Sequence, residues 1–557
     1  MLKHLRLSTC ALLLLAASFA QFAIPFSNAQ QQPQRERRVE ASPSPTPLET
    51  PAASPTPSVF PTPSIGSGTA LTTRSLGELQ TRIRDVLQRP SLSQAFVGVK
   101  VTSAETGKIL FEENATKLLR PASGMKLYTV ATALDRLSPD YRFVTSIYAR
   151  AKPDAAGLVR GDLILYGRGD PSLSFRFNNN DYSKSINDLA ARIVAAGVKR
   201  VEGDLVGDET YFVGPPYGAG WEWEDLQWWY GAEVSALTVN DNYLELTVNG
   251  GVQPGAPAVA TLRPAAPLLM INNRVITSVK GTKRDINIYR PLNSDIIELS
   301  GTIAAGDTYT GRVAMSRPAL LMAYLLRAAL AQHGVTITGK TRVVPSPPGS
   351  TSPVAEPAAS GLVEVATFQS HPLSLISANT LKPSQNLYTE MILRTLGRVA
   401  GPMTATAATT RTSEAAGVEV VKAFLKDAGV NPSSLVLADG SGLSRSDMIT
   451  ADATVQLLTY MRKHRYAVAF RDALPVGGID GTLRNRFKGT VAENNLRAKT
   501  GTLSTASSLS GYVTTAAGEE LIFSIIVNNY PDGPSPVGEC IDPIALLLAS
   551  FAVKSSL

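Results

Sequence analysis

RPASGMKLYTVATALDRL (residues 120–137) places a serine, Ser123, three residues before a lysine, Lys126. Pro121 is a helix-start signal, and Met125, Val130, Leu134 and Leu137 follow it at near-helical spacing. Residues i and i+3 of a helix share a face. The stretch therefore predicts a helix whose first turn brings a hydroxyl and an amine together. Taken alone, S-x-x-K more often means a serine at a helix start and a solvated lysine one turn on. Whether the pair does chemistry depends on the rest of the chain.

The chain has 557 residues, 44% of them hydrophobic, enough for two to four domains with ordinary globular cores. It opens on a secretory-leader pattern: Lys3, His4 and Arg6, an apolar run from Leu7 to Ala20, and Ser27-Asn28-Ala29 as a small-x-small cleavage site. Cleavage after Ala29 is expected, which places the mature protein in the periplasm or cell-wall space. Cys10 precedes most of the apolar run and is not read as a lipidation site. The leader removes two basic residues and no acidic one, so a formal net charge of +7 falls to +5. This mild, dispersed charge does not indicate nucleic-acid binding. Only Cys540 then remains, so an intramolecular disulfide is excluded. No later segment reaches the roughly 20 apolar residues of a membrane helix. The runs at 320–330 and 544–551 read as core helices, and no transmembrane segment is expected after leader cleavage.

Residues 30–71 are Gln-rich and then Pro/Ser/Thr-rich, a composition that favours polyproline II and cannot form a core. They are expected to be a tether. Order is predicted from about residue 72: SLGELQTRIRDVLQ (75–88) as a helix, AFVGVKVTSAETGKILFEEN (95–114) as a hairpin turning at Glu105-Thr106-Gly107, then the Ser123 helix. From about 147 to 360 the texture changes to short strands, Gly/Pro turns and polar loops. Helical pattern returns in LSLISANTLKPSQNLYTEMILRTLG (373–397), and the chain closes with two strand patterns, 503–515 and 520–530, and an apolar helix. The first and last portions read as one α/β domain interrupted by an insertion.

Two further motifs change the meaning of the opening stretch. KPSQNLYTEM carries Ser384-Gln385-Asn386, and LRAKTGTLSTASSLSGYV carries Lys499-Thr500-Gly501, 261 and 115 residues further on. S-x-x-K, S-D-N and K-T-G together mark class A β-lactamases and penicillin-binding proteins. With GRGDPSLS (167–174), GDLVGDETYF (203–212), GWEWEDLQWWYGAEVSALTVNDN (220–242), LADGSGLSR (437–445) and GGIDGTLRNRF (477–487), the chain resembles the peptidase S13 family of low-molecular-mass class C penicillin-binding proteins, D-alanyl-D-alanine carboxypeptidases and endopeptidases. One departure is Gln385, where the three-residue pattern has an aspartate, so any role for a middle carboxylate is lost.

The resemblance implies an α/β (α+β) fold: a penicillin-binding-protein/β-lactamase-like transpeptidase domain (72–147 and 361–557) split by a large β-rich insertion (148–360). That insertion would form a second domain with a third nested at about 243–312. It implies a serine DD-peptidase acting on peptidoglycan stem peptides and acylated by β-lactams, with no metal and no cofactor. A serine hydroxyl needs a base to become a nucleophile, and none of the four histidines (4, 333, 371, 464) lies near a motif. Lys126 can serve if burial and the nearby charge of Lys499 depress its pKa. By resemblance, Ser384 relays a proton toward the leaving amine, Asn386 binds substrate and orients Lys126, and Lys499 and Thr500 hold the terminal carboxylate. Gly501 is expected to let substrate approach the strand, and the backbone N–H groups of Ser123 and Thr502 to form an oxyanion hole. Asp225 and Tyr230 of the insertion, with Leu443, Ser444, Arg445, Leu503 and Ser504, would line a pocket for the stem peptide's diamino acid. Trp223 and Trp228 fit either that pocket or a core, and Arg168-Gly169-Asp170 reads as a turn. The alternatives are a class A-like β-lactamase, for which Glu414 and Glu419 lack the E-x-x-x-N pattern of a deacylation base, and a non-catalytic wall-binding protein.

Overall fold

The apolar residues near the C-terminus alternate with period two, and the structure gives each set a different core. In the computed structural model, which describes residues 72–265, 268–346, 355–401, 411–531 and 533–555, strand Glu520–Asn528 points Leu521, Phe523, Ile525 and Val527 into a core with Leu79, Ile83, Ile544 and Leu548. Ile522 and Ile526 point the other way, against Val130, Leu134 and Leu458. A strand covered on both faces reads as nearly continuous apolar sequence. Ser510 and Ser524 bury their hydroxyls in this sheet by bonding each other at 2.9 Å.

The sheet runs, in spatial order, Arg497–Leu503, Ala506–Thr514, Glu520–Asn528, Phe96–Ser103 and Ile109–Glu113, all antiparallel. Phe96–Ser103 pairs with Glu520–Asn528, Lys100 opposite Ser524, so strands from the first and last portions of the chain share this sheet. The expected hairpin turns through Gly107 at φ +73°. Helices Leu76–Leu87 and Asp542–Ala549 cover one face. Lys126–Leu137 and Ala451–Arg462 cover the other.

Helix Lys126–Leu137 is buried around its whole circumference as far as Leu134, more than the apolar pattern required. Its polar groups are satisfied internally: Thr129 Oγ1 donates to Gly440 O at 2.8 Å, Thr132 Oγ1 to Tyr128 O at 2.8 Å, and Tyr128 OH meets Thr454 Oγ1 at 2.9 Å. The helical run predicted over 373–397 is two helices, Leu373–Leu381 and Asn386–Val399. Pro383 supplies no backbone donor, Ser384 takes φ +62°, and the Gln385 side chain caps the second helix at Leu387 N. Ser384 therefore sits in a sharp joint.

The strands leading into and out of the middle segment, Val144–Ala149 and Val363–Gln369, pair antiparallel. They belong to a five-stranded sheet completed by Leu163–Tyr166, Leu205–Asp208 and Thr341–Val344, the last three mutually parallel. Parallel pairs need crossovers, and helices Lys184–Ala195 and Pro318–Gln332 pack into the same core. The first of these helices was not expected in a β-rich segment. Two three-stranded sheets lie within 243–314. Their Leu244, Leu246, Val275 and Ile297 join the core of the larger sheet. No helix among the described residues is long and apolar enough to cross a membrane. The expected leader (1–29) and Pro-rich tether (30–71) lie outside the described residues.

Candidate active site

Ala122–Met125 is a 3-10 turn running directly into the Lys126 helix. Ala122 is held at φ +48°, a conformation that non-glycine residues keep only when their surroundings impose it. The surroundings are close. Ser508 Oγ donates to Pro121 O at 2.7 Å. A Cβ on Gly442 would collide with Ala122 O, and one on Gly501 with Pro121 O and Ser508 Oγ. The glycine of K-T-G is thus required by the protein's own Ser123 turn, a different reason from the substrate approach expected of it. Ser123 itself is half-buried.

Lys126 Nζ lies 2.9 Å from Ser123 Oγ, 2.6 Å from Asn386 Oδ1 and 2.7 Å from Ser441 O. Asn386 Nδ2 donates to Tyr230 O at 2.8 Å, which fixes Oδ1 toward the amine. Asn386 Oδ1 and Ser441 O only accept, so they claim two amine protons in either ionisation state. The third position faces Ser123: an N–H in the charged amine, a lone pair in the neutral one. Burial pushes Lys126 down to about 7, against the opposing pull of Asp439, Glu390 and Asp447. The depression expected from Lys499 falls instead on Lys499, which burial and then the charge of Lys126 hold well below the usual lysine range.

Lys499 is fully buried and donates to Ser384 Oγ at 2.9 Å and Thr500 O at 2.7 Å. Its strand, Arg497–Leu503, is the edge of the sheet nearest the Ser123 turn. Thr500 Oγ1 meets Thr482 Oγ1 at 2.7 Å, Thr502 and Ser504 are exposed, and Leu503 is half-buried. The structure therefore brings the three motifs together through two hydrogen-bonded sets, Ser123–Lys126–Asn386 and Ser384–Lys499, joined by the short chain between Ser384 and Asn386.

Sequence reasoning missed the groups that support this cluster. Asp439 accepts from Ser441 N (3.0 Å), Gly442 N (2.6 Å), Ser444 N (3.0 Å), Ser441 Oγ (3.0 Å) and Trp221 Nε1 (2.7 Å). It shapes the loop that carries the Ser441 carbonyl to Lys126. Glu390 accepts from Gly440 N at 3.0 Å, and burial raises both Glu390 and Asp447 well above the usual carboxyl range. The D-G-S-G spelling of 439–442 signals a turn, but not which carbonyl it presents.

In the expected specificity pocket, Asp225 is 8% exposed and already has a partner: Arg445 Nη1 lies 3.3 Å from Asp225 Oδ2, and Arg445 Nε 2.7 Å from Glu222 Oε1. Two carboxylates share one guanidinium, leaving a local formal charge of −1. Burial raises the Asp225 pKa and Arg445 opposes it. Leu443 and Ser444 are buried, with Ser444 packed against Gly220, so Arg445 is the member of that stretch that reaches the carboxylates. Tyr230 contributes its backbone carbonyl to Asn386. Trp223 is 62% exposed and so is not core, while Trp228 forms a β-bridge with Val313.

The described histidines stand apart from the cluster; His371 stacks on Phe177 and His464 bonds Asp135. Glu414 is engaged by Ala219 N and Arg394, and Glu419 by Lys422 and Arg411.

Residues 79–550 match the D-Ala-D-Ala carboxypeptidase 3 (S13) family. A D-alanyl-D-alanine carboxypeptidase of Actinomadura sp. (strain R39) is 36% identical over 505 residues, 88% of each chain. The D-alanyl-D-alanine carboxypeptidase DacB of Haemophilus influenzae is 24% identical over 444 residues, 78% of this chain and 86% of that one. The crystal structure of penicillin binding protein 4 (dacB) from Haemophilus influenzae has the same fold, with a TM-score of 0.70 at 22% identity over 84% of this chain and 97% of that one. A second structure of it, complexed with a novel β-lactam, gives 0.66 at 21% identity, covering 84% and 98%.

Proposed function

The chain belongs to the D-Ala-D-Ala carboxypeptidase 3 (S13) family and is a serine-type D-Ala-D-Ala carboxypeptidase, and from that premise we propose how its residues divide the work. Ser123 is the nucleophile and neutral Lys126 the base. The observation that carries this is a buried amine 2.9 Å from the serine oxygen with its pKa pushed down to about 7. In acylation the Ser123 proton passes to Lys126 Nζ as Oγ attacks the carbonyl between the two terminal D-alanines. The oxyanion is taken by the backbone N–H groups of Ser123 and Thr502 at the start of the Lys126 helix. Ser384, bonded to Lys499, passes its proton to the leaving D-alanine and takes up the one that Lys126 received from Ser123, which returns Lys126 to its neutral form. Water then resolves the acyl-enzyme with Lys126 again as base.

Lys499 and Thr500 receive the terminal carboxylate. An anion beside Lys499 works against both influences that depress its pKa, burial and the charge of Lys126. Asp225 and Glu222, partly neutralised by Arg445, offer an ammonium group of the stem peptide its counter-charge. We assign residues 72–147 and 361–557 to the peptidase domain and 148–360 to the insertion, with a nested unit at about 243–312. Peptidoglycan stem peptides and β-lactams are the ligands, met outside the cytoplasm after removal of residues 1–29. The β-lactamase alternative lacks support where it needs it, since Glu414 and Glu419 are committed elsewhere.

The test is mass mapping of the adduct formed with labelled benzylpenicillin. We expect a slowly released acyl group on Ser123 that is absent in Ser123→Ala. An adduct on another serine, or rapid turnover without an adduct, refutes the assignment. Products from pentapeptide monomers and crosslinked dimers separate carboxypeptidase from endopeptidase action.

A further inference from the structure

Asn240, Asp241 and Asn242 occupy three successive left-handed conformations, φ +49°, +60° and +52°. Single residues visit this region; a run of three non-glycines does so only when the structure over-determines it. The two asparagines supply that restraint. Asn240 accepts from Phe175 N at 3.0 Å and donates to Tyr182 O at 2.9 Å. Asn242 accepts from Thr238 Oγ1 at 2.6 Å and Val239 N at 3.1 Å, and donates to Glu233 O at 2.8 Å. What this turn delivers is the carboxylate between them.

Asp241 is wholly buried and takes four donors. Two come from the middle segment: Ser174 Oγ at 2.6 Å and an ion pair from Arg176 Nε. Two come from beside the active site: Tyr388 OH, and Gln385 Nε2 at 3.1 Å. Gln385 is itself fully buried, and its Oε1 caps Leu387 N at 3.3 Å. The side chain between Ser384 and Asn386 is thus fixed at both ends, one on the helix start and one on Asp241. Ser384 sits at positive φ immediately before it, a joint that does not hold its own angle.

We propose that Asp241 is a positioning residue for acylation, acting through Gln385 to hold Ser384 and Asn386 against Lys499 and Lys126. The inference rests on the reading of Ser123, Lys126 and Ser384 given above. It also explains the glutamine in the second motif. A carboxylate at 385 would face the buried Asp241 carboxylate with only Arg176 to offset the two. The amide is the side chain that can donate to Asp241 and accept from the helix at once.

The experiment uses the full-length enzyme and measures the limiting rate of acylation by benzylpenicillin, the concentration giving half that rate, and the melting temperature. Wild-type acylation at Ser123 is mapped first; its absence refutes the reading of the site and this inference with it. Gln385→Glu, which sets two carboxylates together, is expected to lower the limiting rate about tenfold or more, as displaced catalytic groups do. The half-saturating concentration is expected to move less. Adding Asp241→Asn removes the repulsion and gives the carboxylate introduced at 385 a donor, at the loss of the contact with Arg176 Nε, and is expected to recover several-fold of the rate lost in Gln385→Glu, a coupling a double-mutant cycle detects. A purely structural link moves the melting temperature and shows no such rescue. Gln385→Met, neutral and of similar length, decides the matter if the charged variants do not fold, and it too is expected to acylate slowly. Wild-type limiting rates in Gln385→Glu or Gln385→Met, or a double variant no faster than Gln385→Glu alone, overturn the proposal.

Discussion

Replacing Lys126 by arginine separates a base from a counter-charge. A lysine with an ordinary pKa of 10.5 is neutral in about one molecule in three thousand at pH 7. Burial brings Lys126 to about 7, so about half the molecules carry the lone pair facing Ser123 at that pH. Arginine keeps the positive charge and several donors but never surrenders a proton in a protein. If Lys126 takes the Ser123 proton, Lys126→Arg and Lys126→Met should both lose acylation by about 10²–10⁴-fold, the usual effect of a positioned acid–base group. If it only balances Glu390, Asp439 and Asp447, arginine should retain most of the rate and methionine little. The assay is the acylation rate with benzylpenicillin between pH 5 and 9, and for the wild type it should rise with pH and level off above about 7. Stability gives an independent check whose sign follows from the same shift. Between pH 7 and 10.5 the folded protein binds fewer protons at Lys126 than the unfolded chain, so wild-type stability rises with pH relative to Lys126→Met. Below about pH 7 the full cost of charging the buried amine applies, at most about 5 kcal/mol for a shift of this size. An arginine variant within tenfold of wild type, or an acylation rate flat from pH 5 to 8, refutes lysine as the base.

Gly501→Ala should drive the edge strand off the Ser123 turn, because the new Cβ meets Pro121 O and Ser508 Oγ. Acylation should fall about 10²-fold or more with a lower melting temperature, and near-normal acylation would show that the strand yields. Asp225→Ala should slow cleavage of diamino-acid stem peptides by roughly ten- to hundredfold, the worth of one charge-assisted hydrogen bond, and leave benzylpenicillin acylation within a few-fold. Equal loss of both rates together with thermal stability would make Asp225 a structural residue. Cys540 is fully buried and its thiol is pushed up to about 12, so iodoacetamide should modify it only as fast as the protein unfolds; rapid labelling of native protein contradicts its burial.

What was legible in the sequence was local or repeated. The Ser123–Lys126 contact needs only one helical turn, and the strand at 520–528 announces itself by a nearly continuous apolar run. Backbone groups leave no such trace. The carbonyls of Ser441 and Tyr230, which hold Lys126 and Asn386, could belong to any residue. Asp439 looks like an ordinary turn aspartate until its five donors are in place. Gln385 and Asp241 are 144 positions apart, and nothing in either one's neighbours pairs them. Helix Lys184–Ala195 did show its signal, Ile186, Leu189, Ala190 and Ile193 at helical spacing, but short strands and turns on both sides masked it. The ion pairs of Arg445 with Asp225 and Glu222 were not legible at all, because an ion pair depends on which rotamers the packing allows.

The pairing of Lys100 with Ser524 has a consequence in time. At about 5–20 residues per second, the ribosome finishes strand Phe96–Ser103 roughly 20–85 seconds before it supplies the strand that lies beside it. Meanwhile the hairpin Phe96–Glu113 offers an unpaired edge of the kind that invites aggregation. The segment 144–369 has its own sheets and core, so it can mature while the rest waits. The Ser123 turn cannot, because the strand that presses Gly501 against it is among the last to be made. A chain cut short before residue 500 would therefore fold much of its length and still lack the packing that shapes the Ser123 turn.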